Sequence, residues 1–183
     1  TTNEGSEGTV TDDQTSAFEI SAMPELNFLK SVISYWDPVN GTVNPFNIPG
    51  AEILYSLKVT NSGAGSPDSD SLTITDPIPA NTSLYVGDLG GTPSGSPVIF
   101  IDGSGLSASG LNLSFLNLAD LSDGVNFSND GGISYNYDPG PDADANGFNN
   151  TVTHVKIDLS GTMNASDSTN TPEATLHFKV RID

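Results

Sequence analysis

Residues 49–82, PGAEILYSLKVTNSGAGSPDSDSLTITDPIPANT, decide the fold. Ile53, Tyr55, Leu57 and Val59 alternate with Leu54, Ser56, Lys58 and Thr60, the period-two pattern of a strand with one buried face. A Gly/Ser/Asp loop follows. Leu72 and Ile74 then resume the alternation until Asp76-Pro77-Ile78-Pro79 ends it, because proline cannot continue a ladder. Strands that each carry one apolar face require a second sheet to cover them, so the stretch predicts a β-sandwich.

The flanking sequence repeats the pattern. Val98 to Ile101 and Leu111 to Phe115 read as two further strands. Val125-Asn126-Phe127, the turn residues Asn129-Asp130-Gly131, and Ile133 to Tyr137 read as a hairpin. Val155, Ile157 and Leu159 form another inward face, and Ala174, Leu176, Phe178, Val180 and Ile182 alternate to the end of the chain. No segment sustains a helical period and no internal repeat is visible, so the chain reads as all-β.

Several of these pieces also carry a family likeness. Pro49-Gly50, the Tyr55-x-Leu57-x-Val59-x-Asn61 run and Thr75-Asp76-Pro77-x-Pro79 come first, followed by Phe127 to Gly132, Thr153-His154-Val155 and the closing strand. Together they resemble the conserved repeat domain of bacterial surface proteins, domain of unknown function eleven. The resemblance covers residues 26–183 and implies an Ig-like antiparallel β-sandwich. Such domains are usually arrayed in large secreted or surface-bound chains, and the resemblance supplies no catalytic residues.

Residues 1–25 stand outside that likeness as an N-terminal extension. Residues 1–16, TTNEGSEGTVTDDQTS, hold almost nothing to bury and predict disorder on their own. Residues 17–22 then alternate, with Phe18, Ile20 and Ala22 on one face, before Pro24 breaks the run. This is a surplus strand ahead of a domain that is complete without it. It either adds to the edge of its own sandwich or is donated to a neighbouring copy.

Composition narrows the partners. Five basic residues against 23 acidic ones give a formal charge of −18, which repels nucleic acid and anionic lipid. Such a charge suits salty medium, where screening acts over about 8 Å. The absence of cysteine removes disulfides and thiolate metal sites. No apolar run approaches the length of a membrane span, so membrane insertion is not expected. The chain starts at Thr1 rather than Met, which we read as processing or excision, with an extracellular or cell-surface location.

Candidate sites are few. Asp138, Asp142, Asp144 and Asn146 lie in the loop DPGPDADANG, whose Asp-x-Asp-x-Asn-Gly core is the first half of a calcium loop. Thr153 stands where the bidentate Glu of an EF-hand belongs, so calcium would be held weakly; the alternative is a solvated acidic turn. Asp68 and Asp70 are a fainter version of the same signal. Tyr35 and Trp36, the latter the sole tryptophan, either stack on a sugar ring or plug one end of the sandwich. His154 and His177 alternate with inward residues and are expected to face solvent. Gly-x-Ser-x-Gly is absent and no carboxylate pair stands out, so an enzyme is not expected. Six Asn-x-Ser/Thr sequons, at Asn40, Asn81, Asn112, Asn126, Asn149 and Asn164, are expected to be mostly unoccupied.

The leading functional expectation is a structural subunit of an extracellular filament or surface assembly. It would polymerise head-to-tail with copies of itself by donating residues 17–22. The alternatives are a spacer or adhesive module of a larger surface protein, or a carbohydrate-binding module using Tyr35, Trp36 or the tyrosines Tyr135 and Tyr137.

Overall fold

The computed structural model describes residues 22–167 and 169–183. Phe18 and Ile20 therefore lie outside the described residues, as does the strand predicted at 17–22 up to Ala22. The ten strands are β1 (Leu26–Trp36), β2 (Glu52–Asn61), β3 (Leu72–Pro77), β4 (Thr82–Tyr85), β5 (Ile99–Asp102), β6 (Leu111–Asn112), β7 (Val125–Ser128), β8 (Phe148–Asn149), β9 (His154–Gly161) and β10 (Glu173–Ile182). One 3-10 turn, Gly105–Ser107, is the only helical element among the described residues. No helix there is long and apolar enough to cross a membrane.

All ladders are antiparallel and form two sheets. The larger sheet runs β1-β2-β10-β4-β8, with β5 also pairing β10. The smaller runs β3-β9-β6, with β7 also pairing β9. This is the all-β sandwich that the alternating stretches predict. The alternation of β2, β9 and β10 maps directly onto burial: Leu57, Val155, Ile157, Leu176, Phe178 and Val180 are essentially inaccessible, together with Phe127 and Met163. At the centre the Tyr55 and Phe178 rings stack 5.2 Å apart at 15°, within the range where offset aromatic pairs attract.

Asn61 closes one end of the sandwich. It is fully buried, and its amide donates to the carbonyls of Gly65 (2.8 Å) and Asn164 (2.9 Å). Its Oδ1 accepts from the N–H groups of Glu25 (3.1 Å) and Gly63 (3.0 Å). One side chain thus joins the entry to β1, the turn after β2 and the loop after β9.

Two local expectations are corrected. The hairpin beyond β7 has no regular return strand, only a single bridge from Phe127 to Tyr137. Asp130 winds the intervening residues into a compact loop, accepting from the N–H groups of Ile133 and Ser134 and from the Ser134 hydroxyl. These bonds, that of the Ser134 hydroxyl foremost, hold its carboxyl well below the usual carboxylate range. Nor do His154 and His177 face open solvent: both are half-buried, and each Nδ1 is shut away without a hydrogen-bond partner among the described residues. His177 lies on a central strand between Ser56 and Ile99 of its neighbours. His154 is covered by the turn at Gly132, where a Cβ would sit 3.2 Å from the imidazole Cδ2.

Replacing Asn61 by Leu would strand two carbonyls and two N–H groups at a buried end, each at a cost of about 1–3 kcal/mol. Urea denaturation of Asn61→Leu should show a loss of at least about 3 kcal/mol with an unchanged slope.

Candidate functional site

β1 is bonded to β2 along its whole length, yet nearly every residue in it is exposed. Its register sets Leu26, Phe28, Lys30, Val32 and Ser34 opposite Asn61, Val59, Leu57, Tyr55 and Ile53, so these five point to the core side of the sheet. Phe28 is nevertheless 53% exposed and Val32 55%. The cause is width. Beyond β9 the smaller sheet ends at β3, and no further strand among the described residues continues it beneath β1.

The outer edge of β3 is also open: no strand pairs with it among the described residues. Asp70 and Ile78 donate their N–H groups to Gly161 and Thr153 on the β9 side. Antiparallel pairing alternates, so Ser71, Thr73 and Thr75 direct their N–H and C=O groups to the unpaired side. Between the β3 edge and β1 runs a groove of about 420 Å³, walled by Leu26, Phe28 and Leu72 and floored by Val59 and Ile74. It combines apolar surface with unsatisfied backbone, the two things an added strand supplies with partners.

Lys30 bounds the groove. Its ammonium donates to both oxygens of Asp76 on β3, at 2.8 and 2.7 Å, and lies 4.6 Å from the centre of the Tyr55 ring. The Asp76 side chain is only 9% exposed, so this is a largely desolvated pair. Burial raises the Tyr55 phenol above its ordinary value, and the Asp76 charge adds to the shift. Sequence reasoning missed Lys30 and Asp76. The one available sign was a lysine in the inward row of an otherwise apolar strand.

Ala22, the one donor-strand residue described, is exposed and lies on Gly65. Met23 and Glu25 are bonded to the same turn, through Gly65 N–H to the Met23 carbonyl (3.2 Å) and Ser62 N–H to the Glu25 carbonyl (2.9 Å). From Ala22 the chain thus enters β1 along the Ser62–Gly65 turn, at the end of the sandwich.

The acidic loop spends its carboxylates on separate tasks. Asp138 accepts from the Gly140 N–H, and Asp142 from the Tyr137 hydroxyl. Asp144 accepts from the N–H groups of Asn146 and Phe148 and pairs with Arg181 at 2.9 Å. The Phe148 bond is the largest influence on Asp144, whose carboxyl lies below its ordinary value. Asn146 is exposed on the loop. No group of three or more His, Cys, Asp or Glu side chains is gathered as metal ligands among the described residues. Asp70 fastens the β3 end to β9 by accepting from Gly161 N–H, and Asp68 lies in the preceding turn. Asn126 and Asn149 are buried, which closes two of the sequons.

Tyr35 and Trp36 end β1 on the opposite face of the larger sheet. Trp36 is held by the loop that Asp37 organises. Asp37 is fully buried and accepts from the N–H groups of Val39 (2.7 Å), Asn40 (2.6 Å) and Phe46 (2.5 Å). Burial by itself would raise its carboxyl, but these donors outweigh it and the net shift is downward. Neighbouring Lys179 lies 4.1 Å from the Tyr85 ring centre and pairs with Glu52 at 2.9 Å.

No family model, curated protein or solved structure matches this chain. The functional reading therefore rests on the geometry.

Two outcomes follow. Lys30→Ala leaves the Asp76 carboxylate without its partner and should cost about 2 kcal/mol, less than for a fully buried pair because Lys30 is partly exposed. Lys30→Met combined with Asp76→Leu should restore most of that loss, as a double-mutant cycle by chemical denaturation will show. For Asp37, a depressed folded-state value means its contribution is complete above the ordinary carboxylate pKa of about 3.9 and is lost as pH falls through the folded value. Trp36 emission should accordingly shift to the red in acid, and in Asp37→Asn it should be shifted already at pH 7.

Proposed function

We propose that the protein is a structural subunit of an extracellular filament, joined head-to-tail by insertion of residues 17–22 of one copy into the β1–β3 groove of the next. The observation that carries this reading is the coincidence, on one side of one sandwich, of an apolar row on β1 and a backbone edge on β3 that are uncovered and unpaired among the described residues. A visiting strand beside β3 would complete the smaller sheet and roof the overhanging β1. Phe18, Ile20 and Ala22 would meet Phe28, Val59 and Leu26, and Glu19 and Ser21 would face water. The segment AFEISA carries a single charge, which suits a largely apolar slot.

The run from Ala22 to Glu25 along the Ser62–Gly65 turn favours a neighbour's strand over the subunit's own, because the chain is fastened across the end of the sandwich. Donor and acceptor are different surfaces, so the contact propagates unless a ring closes. Phe18 and Ile20, at roughly 1.5–3 kcal/mol each, do not by themselves offset about 1–2 kcal/mol of ordering per residue. The covering of Leu26 and Phe28 on the acceptor and the new ladder bonds must contribute as well. With −18 on each copy, added salt should promote assembly.

Negative-stain images tell the readings apart. The intact chain should form filaments that lengthen with ionic strength. Removal of residues 1–22, or Phe18→Asp with Ile20→Asp, should leave single subunits. Filaments of undiminished length from those variants would refute strand donation, and an intact chain that stays monomeric at every salt concentration would favour the spacer-module reading.

A further inference from the structure

We propose a second site, on the outer face of the larger sheet, that binds a neutral saccharide unit. A concavity of about 410 Å³ lies there, bordered by Trp36, Glu52, Tyr85, Asn146, Lys179 and Arg181. A smaller one of about 200 Å³ shares Tyr85 and Lys179 and extends it toward Tyr35. The combined hollow is on the face opposite the core and independent of the strand-accepting groove.

Its chemistry is a set of aromatic surfaces interleaved with hydrogen-bonding groups. The Tyr85 and Phe148 rings are tilted 59° to each other at 5.1 Å and form one wall. The Arg181 guanidinium carbon lies 4.4 Å from the Phe148 ring centre, which holds the group against that wall. Trp36 is 37% exposed at the rim and Tyr35 50%. A sugar ring presents apolar C–H faces to such rings and equatorial hydroxyls to the groups between them.

Those groups have capacity to spare. Arg181 uses one of its five N–H donors, on Asp144. Glu52 engages Lys179 through a single oxygen, and the Asn146 side-chain amide makes no hydrogen bond among the described residues. Arg181 and Glu52 are held by ion pairs, and Arg181 by a ring contact as well, before any ligand arrives, which limits the ordering cost of binding.

Charge selects the class of sugar. Two of the chain's five cations line this hollow, yet Lys179 is balanced by Glu52 and Arg181 by Asp144. A uronic acid or sulfated sugar finds no net positive charge here and meets the field of a −18 protein. A neutral hexose or N-acetylhexosamine unit incurs neither cost and fits the volume.

The sole tryptophan is at the rim, so intrinsic fluorescence reads the site directly. Neutral oligosaccharides (gluco-, manno-, galacto- and chito-oligomers) titrated into the full chain should give a saturable Trp36 response for at least one member, with a Kd of roughly millimolar order. Asn146→Ala, whose side chain supports nothing in the fold, should weaken that binding by about threefold to tenfold, and Tyr85→Ala by at least about tenfold. Calorimetry on Trp36→Phe should show a comparable loss without relying on emission. No saturable response across the panel would overturn the proposal. So would binding indifferent to Asn146→Ala and Tyr85→Ala, or tighter binding of a charged sugar than of its neutral counterpart. Because the filament test reads residues 1–22 and this one reads Trp36, either can fail alone.

Discussion

The constraint on which the structure turns is a mismatch of width. The larger sheet extends one strand, β1, past the edge of the smaller, and that strand carries apolar residues toward a space that the described residues do not fill. The described residues carry two liabilities at once: exposed side chains that water disfavours and a strand edge whose N–H and C=O groups find no partners among them. One added strand removes both. A bond from Lys30 to Asp76 ties β1 to β3 and fixes the spacing of the two edges.

Much of the sandwich was legible because its central strands obey a period of two that the core enforces. β2, β9 and β10 are each flanked on both sides, so their alternation translates into burial residue by residue. β1 was not legible in the same way. LNFLKSVISYW holds apolar residues in both rows, so no alternation marks a covered face, and it is the most exposed strand among the described residues. Whether a row is covered depends on what the other sheet places beneath it, and local periodicity cannot report that. The Lys30–Asp76 pair, 46 residues apart in sequence, is long-range in the same sense.

The loops show a different limit. In the stretch after β7, turn chemistry was present, but Asp130 gathers enough backbone donors to replace a return strand by a knot of side-chain bonds. In the acidic loop, the spacing of Asp138, Asp142 and Asp144 resembles half of a cation site, while the carboxylates are turned to Gly140, Tyr137 and Arg181. Tyr35 and Trp36 were visible as adjacent aromatics that either stack on a sugar ring or plug one end of the sandwich. What sequence could not supply was their company: Glu52, Tyr85, Asn146, Lys179 and Arg181 come from four separate stretches of chain and meet only across the folded sheet.

The most direct measurement is nuclear magnetic resonance of the subunit lacking residues 1–22, with a synthetic peptide of residues 14–23 added in trans. The account predicts a one-to-one complex in which the backbone amides of Ser71, Thr73 and Thr75 become protected from exchange and the Phe28 ring resonances shift. A peptide that binds nowhere, or that leaves those amides and that ring unchanged, would contradict it.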